Sequence, residues 1–152
     1  AERRNDGHIL AYHTLRGMLP PILQYASEHP DRRILLYGYD PEDAPPNIEF
    51  KTNPSEFAGD LASADAYVGT AGFQSISEAF FLGKKIVVKP LQGQYEQVWN
   101  AAQLEHWKMG RWHQQELEEA LDQEFNTELH RRLLPWFESG ARRCYERILR
   151  HG

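Results

Sequence analysis

Cysteine is almost absent: Cys144 is the only one in 152 residues. A single thiol closes no internal disulfide, and this one stands in no metal-ligand spacing, so no disulfide framework or thiolate metal centre organises the chain. The expected setting is therefore the reducing cytoplasm. Long apolar runs are missing too. A stretch such as Ile34-Leu35-Leu36-Tyr37 falls far short of the roughly 20 residues that a membrane-spanning helix needs. The opening Ala1-Glu2-Arg3-Arg4-Asn5-Asp6 is polar, unlike a secretory signal, and has no Met; a cut end of a longer chain is expected. Positive charge is not in excess. Lys and Arg number 17 against 22 Asp and Glu, a net charge of −5, so no basic field invites nucleic acid. Seven histidines are present, yet none forms the His-x-x-x-His pair of a helical zinc site: His8 and His13 are five apart, His106 and His113 seven apart. No metal is expected. No Gly-x-Ser-x-Gly elbow occurs, and Cys144 sits late in a helical pattern, so nucleophilic catalysis has no support.

What is present is ordinary for one globular domain: 41% apolar and 26% charged residues. Short apolar runs alternate with longer amphipathic ones. Strands are predicted at His8–His13, Arg33–Tyr39, Ile48–Phe50, Ala66–Gly69 and Ile86–Val88. Helices are predicted at Leu15–Glu28, with Pro20-Pro21 in the first turn or breaking it, and at Glu56–Ala64 capped by Ser55. Further helices are expected at Ser75–Leu82, Tyr95–Trp107 and Gln114–Glu124. Thr127–Leu149 reads as a long helical stretch divided at Pro135 and again near Gly140. The Pro-rich loop Asp40–Pro46 is too short to link two cores. The expected fold is α/β, a single domain over residues 1–152 with a parallel sheet of about six strands and helices on both faces. Arg131, Arg132, Arg142, Arg143, Arg147 and Arg150 near the end form either a solvated helix face or a peripheral patch for a membrane or partner.

Chemistry concentrates between Asp65 and Asn100. The strand Ala66–Gly69 turns through Thr70-Ala71-Gly72-Phe73-Gln74-Ser75 into a helix. In a parallel sheet, ligands bind beyond the carboxyl ends of the strands. A helix N-terminus there offers unpaired N–H groups and a positive dipole end, which suit a phosphate. Gly72 lets the backbone approach such a ligand, and Ser75 can donate its hydroxyl. Glu78, three residues on, lies on about the same face and can accept from both hydroxyls of a ribose. The plainer alternative is that Gly72 is a turn residue, Ser75 an N-cap and Glu78 a first-turn acid. After the next strand, Pro90-Leu91-Gln92-Gly93-Gln94-Tyr95-Glu96-Gln97 would line the same crevice. There Glu96 and Gln97 either meet sugar hydroxyls or simply start a solvated helix. Thr14 ends the first strand beside the crevice, as a phosphate contact or as a strand end only.

Thr70 through Glu78, Leu82-Gly83-Lys84-Lys85, Pro90, Glu96-Gln97 and Asn100-Ala101 together resemble the donor signature of GT-B glycosyltransferases. The resemblance is to the plant-type UDP-glycosyltransferases, the peptidoglycan N-acetylglucosaminyltransferase and microbial relatives with Gly-Phe-x-x-Ile-Ser-Glu-Ala. It implies a Rossmann-like domain, the C-terminal half of a GT-B fold. It implies diphosphate contacts at Thr14, Thr70, Gly72 and Ser75, a ribose contact at Glu78, and donor-sugar contacts at Glu96 and Gln97. The base would be read by the loop holding Thr52, Asn53 and Pro54. The reaction implied is inverting and metal-independent, with a nucleotide sugar, UDP-sugar by resemblance, as substrate. The acceptor-binding N-terminal domain, which carries the catalytic base, is absent from this chain. Two departures stand out: Thr70 replaces a common His, and Glu96 replaces the Asp of the usual Asp-Gln pair. A sugar-nucleotide epimerase shares the fold, but its Arg-rich stretch is missing after Pro90. A non-catalytic nucleotide-sugar or partner-binding module is the other alternative.

Overall fold

The computed structural model describes residues 6–112, 116–135 and 139–140. Strands β1 (Ile9–His13), β2 (Ile34–Gly38), β3 (Ile48–Lys51), β4 (Ala66–Gly69), β5 (Lys85–Val88) and β6 (Arg111–Trp112) form one sheet in the order β3-β2-β1-β4-β5-β6. Every pairing is parallel. The central strands are aliphatic and buried on both sides, as a sheet covered by helices requires. Ile9 and Ala11 face one core, where Ile22, Tyr25 and Ala26 of α1 (Pro20–Glu28) meet Leu117, Ala120 and Leu121 of α5 (Leu117–Asp122). Leu10 and Tyr67 face the other, formed by Leu61 of α2 (Phe57–Ser63), Ile76, Ala79 and Phe80 of α3 (Phe73–Phe81), and Ala101 and Leu104 of α4 (Tyr95–His106). The expected six-stranded α/β sheet with helices on both faces is what forms.

Several boundaries differ from expectation for local reasons. The first helix begins at Pro20, not Leu15: Arg16–Met18 make a separate 3₁₀ turn, and the two prolines take the N-terminal positions where a missing N–H costs nothing. Ser55 is not the cap before α2. Asn53 accepts from the N–H of Ser55 (3.1 Å) and from its hydroxyl (2.8 Å), and a 3₁₀ turn, Pro54–Glu56, leads into the helix. The third helix starts at Phe73, capped by Gly72, so Ser75 lies inside its first turn and Glu78 beyond it. β6 was not among the predicted strands. The helix expected over 114–124 is α5, with residues 114 and 115 outside the described region. Of the long C-terminal stretch, 127–135 is helical (α6), as are 139 and 140. Cys144 and four of the six late arginines lie outside the described residues.

Gly38, the last residue of β2, has φ +107°, and a Cβ there would stand 1.8 Å from the His13 carbonyl oxygen on β1. Side chains are both strained and excluded at this position. Gly38→Ala should lower stability by at least about 2 kcal/mol, measured as a shift in the urea unfolding midpoint.

Candidate functional site

The strand order reverses between β1 and β4. The chain leaving β1 crosses to the α1 face, and the chain leaving β4 crosses to the α3 face. Beyond their carboxyl ends the two connections diverge and leave a crevice, the usual ligand position of such sheets. The register Tyr12↔Gly69 brings the ends of the two strands level. Thr14 follows β1 and is exposed; Thr70 follows β4 and is 8% exposed.

The loop after β4 is held from three sides. Beneath it, the buried Tyr67 hydroxyl donates to the Thr70 carbonyl (3.5 Å) and shares a hydrogen bond with Ser75. Burial pushes the Tyr67 hydroxyl well above its ordinary pKa, and the Ser75 bond opposes this. The ring folds back under the loop only because residue 69 is glycine: a Cβ there would lie 2.3 Å from the Tyr67 oxygen. Laterally, Asn100 on α4 donates its Nδ2 to the Ala71 carbonyl at 3.0 Å. On the sheet side, the Lys89 N–H extends the ladder to the Gly69 carbonyl.

With the loop so fixed, the first turn of α3 opens on the crevice. Gly72 caps it with φ −65°, ψ 135° and no side-chain cap bond. Any residue adopts that backbone, and a Cβ at 72 would meet only Thr70 Oγ1, at 3.9 Å. Neither conformation nor packing within the chain calls for glycine here. The position stands at a helix start that no side chain caps, where backbone N–H groups suit an anion. Ser75 and Glu78 are half-buried on this helix, and Gln74 donates to one Glu78 oxygen at 3.1 Å.

The remaining predicted residues lie on neighbouring loops of the same edge. Glu96 is exposed in the first turn of α4. Gln97 is buried; its Oε1 accepts the Leu91 N–H (3.0 Å) and its Nε2 donates to Gln94 (2.7 Å), so its amide shapes the loop before α4. Thr52 and Asn53 follow β3, three strands from β4, roughly 14 Å away at ordinary strand spacing. Their loop is anchored by Lys51, whose Nζ meets Glu56 at 2.6 Å and Asp60 at 3.3 Å. The Glu56 hydrogen bond raises the Lys51 pKa, and Lys51 in turn lowers that of Glu56.

Sequence reasoning missed three residues at this edge, Tyr67, Arg16 and Lys89, and assigned no contact to Asn100, which it named only within the signature. Tyr67 and Asn100 act across loops, which spacing along a chain does not reveal. Arg16 and Lys89 are cations just beyond β1 and β5. Arg16 lies over the Tyr39 ring at 5.2 Å and reaches Glu42 only at 3.9 Å, both side chains being well exposed. Nothing in a lone Arg or Lys of a polar loop marks it as part of a site. A cavity of about 990 Å³ opens at the opposite edge, among Asp65, Lys85 and His130. It adjoins the amino ends of β4 and β5 and the start of α6 at Thr127, on the far side of the sheet from the carboxyl ends of the strands, and is not the candidate site. Among the described residues no group of three or more His, Cys, Asp or Glu is placed to hold a metal ion.

The family model described as glycosyl transferase family 1 matches residues 1–130. The chain belongs to this family. Solved structures share its fold. The glycosyltransferase SnogD from Streptomyces nogalater is 17% identical with a TM-score of 0.70; the match covers 100% of this chain and 44% of that one. CalG4, the calicheamicin glycosyltransferase, is 23% identical with a TM-score of 0.67, over 96% of this chain and 42% of that one. The glycotransferase of kitacinnamycin is 24% identical with a TM-score of 0.55, over 74% and 32%. The chain thus spans less than half the length of these structures. None of the curated proteins compared with it matches.

The two loop glycines of this family 1 domain should respond differently to a methyl group. Gly69→Ala should cost about 1–3 kcal/mol, because the buried Tyr67 ring has no room to move. Gly72→Ala should cost under about 1 kcal/mol, the ordinary difference between these residues at an N-cap. Thermal and urea unfolding of both variants checks the contrast.

Proposed function

We propose that the chain is the donor-binding half of an inverting, metal-independent glycosyltransferase whose donor is a UDP-sugar. The observation that carries the reading is Gly72. It caps a helix at the switch point of the sheet, and its open Cβ position has no cause inside the chain. Family membership supports sugar transfer in general. The donor's diphosphate would lie against the first turn of α3, taking backbone N–H groups and the hydroxyls of Ser75, Thr70 and Thr14. Glu78 would hold the ribose diol through the oxygen that Gln74 does not occupy. The base would reach toward Thr52 and Asn53. Glu96 and Gln97 would meet the sugar, Glu96 directly and Gln97 by holding its loop.

In the reaction proposed, an acceptor oxygen forms a bond to the anomeric carbon as the bond from that carbon to the diphosphate oxygen breaks. The acceptor's proton goes to a base on the second half of the enzyme. The leaving diphosphate gains negative charge, which the α3 dipole, the hydroxyl donors and the cations Arg16 and Lys89 would stabilise.

UDP should bind the 152-residue chain weakly, near the millimolar range or about −4 kcal/mol, because one wall of the cleft is missing. Glu78→Ala should cost about 1.5–3 kcal/mol of that binding, and Ser75→Ala about 1 kcal/mol, since the backbone donors remain. A titration followed by backbone amide NMR, with EDTA present, should move residues 70–78 and 94–97. Shifts clustered elsewhere, or binding that needs Mg²⁺, would sink the proposal. These 152 residues alone should transfer no sugar to any acceptor, because the proposed reaction places the base on the other half; turnover by the purified 152 residues would show that the acceptor half is dispensable.

A further inference from the structure

Helix α4 has two apolar faces. Gln97, Ala101 and Leu104 turn inward to the sheet. On the opposite side, Tyr95, Val98, Trp99 and Ala102 recur at i, i+3, i+4 and i+7, the spacing of a single stripe. Solvent, not protein, covers this second stripe: Tyr95 is 88% exposed, Trp99 66% and Val98 38%. The outer face of a helix packed on a sheet is normally polar, and a contiguous aromatic patch signals an interaction surface. The stripe begins at the crevice, since Tyr95 immediately precedes Glu96, and it runs about 10 Å along the helix from residue 95 to 102.

We infer that this face docks the acceptor-binding half of the transferase, on an apolar surface flanked by basic side chains. The inference rests on the donor-half reading above. Three observations select that occupant. More than half of each SnogD or CalG4 chain lies outside the region this chain matches, so these relatives carry a further body of comparable size. The stripe adjoins the crevice, where that body must approach to complete the site. Its charge is also informative: α4 contains Glu96 and Glu105 and no Lys or Arg. An anionic membrane surface is disfavoured by that charge. A symmetric pair of α4 helices would bring two Glu96 carboxylates into one interface with no cation of α4 to offset them, Glu105 being already paired with Arg111 at 3.5 Å. A partner with basic side chains around an apolar centre satisfies both.

The test compares amide hydrogen exchange at residues 95–102 in the 152-residue chain and in the whole transferase that contains it, each with and without UDP. A Val98→Gln/Trp99→Gln double variant is carried in parallel; both side chains are exposed and lie outside the 94–97 segment expected to respond to UDP, so the chain should fold and bind UDP within about twofold of the parent. Protection of 95–102 should rise at least tenfold in the whole transferase. The double variant should lose that protection and lower kcat/KM for the acceptor at least tenfold. Equal exchange in the two forms overturns the docking face while leaving UDP binding, and with it the donor reading, intact. Concentration-dependent dimers of the short chain abolished by the double variant overturn it in favour of a second copy. Co-sedimentation with phosphatidylglycerol vesicles overturns it in favour of a membrane. Protection without any UDP binding would instead sink the donor reading alone.

Discussion

The parallel pairing of β1 with β4, Ile9↔Ala66 through Tyr12↔Gly69, is the constraint on which the candidate site depends. These strands are far apart in sequence but adjacent in the sheet, and their connections leave on opposite faces. The diverging ends create the crevice, and the same pairing sets Thr14 and Thr70 on its two sides. A slip of one residue by either strand would turn that strand's side chains to the wrong faces, because each strand alternates its side chains between faces. Were β1 to slip, Leu10 would face α1 and Ile9 would face α3, against an unchanged β4. The hydrophobic cores therefore fix the site's geometry before any site residue contributes.

Close contacts refine that geometry at the carboxyl edge. Gly38 permits β2 to lie against the His13 carbonyl, and Gly69 lets Tyr67 fold beneath the β4–α3 loop. Both glycines have internal causes; Gly72, like Gly17 and Gly59, answers to neither backbone angle nor packing, and differs from those two in standing at the switch point. Asn100 and Gln97 add lateral ties. The first fixes the Ala71 carbonyl and the second the Leu91 N–H, so the loops after β4 and β5 are both referenced to α4. A loop tied at several points loses little entropy on meeting a ligand, which is how preorganisation favours binding.

The legible part of the fold is the part written in contiguous residues. β1, β2, β4 and β5 are runs of aliphatic side chains bounded by turn residues, and they lie within a residue or two of their expected places. β6 is only Arg111-Trp112; its strand character comes from lying beside β5, not from its own composition. Caps were misread where two suitable residues stand close together. Asn53 rather than Ser55, and Gly72 rather than Ser75, take the cap because the exit path of the preceding strand decides which residue stays extended. In the candidate site, the loop and helix from Thr70 to Glu78 were visible because they form a strand–turn–helix unit. Tyr67, Arg16 and Lys89 were not, and Asn100 was legible only as part of the signature, because their parts in it come from folding alone. Arg16 illustrates this well: its placement over Tyr39 joins the ends of β1 and β2, which no local pattern connects.

Electrostatics limits how strongly an open edge of this kind can hold an anion. The α3 N-terminus offers about half a positive charge, whereas a nucleoside diphosphate carries several negative ones. Glu78 and Glu96 stand at the same edge, and the chain as a whole is at −5. Arg16 and Lys89 offset part of this, but Arg16 is solvated and shared with Glu42, so its attraction is screened over a distance of about 8–10 Å at ordinary ionic strength. Covering the crevice would change the balance. Removing water lowers the local dielectric and strengthens every donor already aimed at the phosphates, with no new contact needed. A fixed but open cradle thus holds an anion weakly by itself and gains most from whatever closes over it.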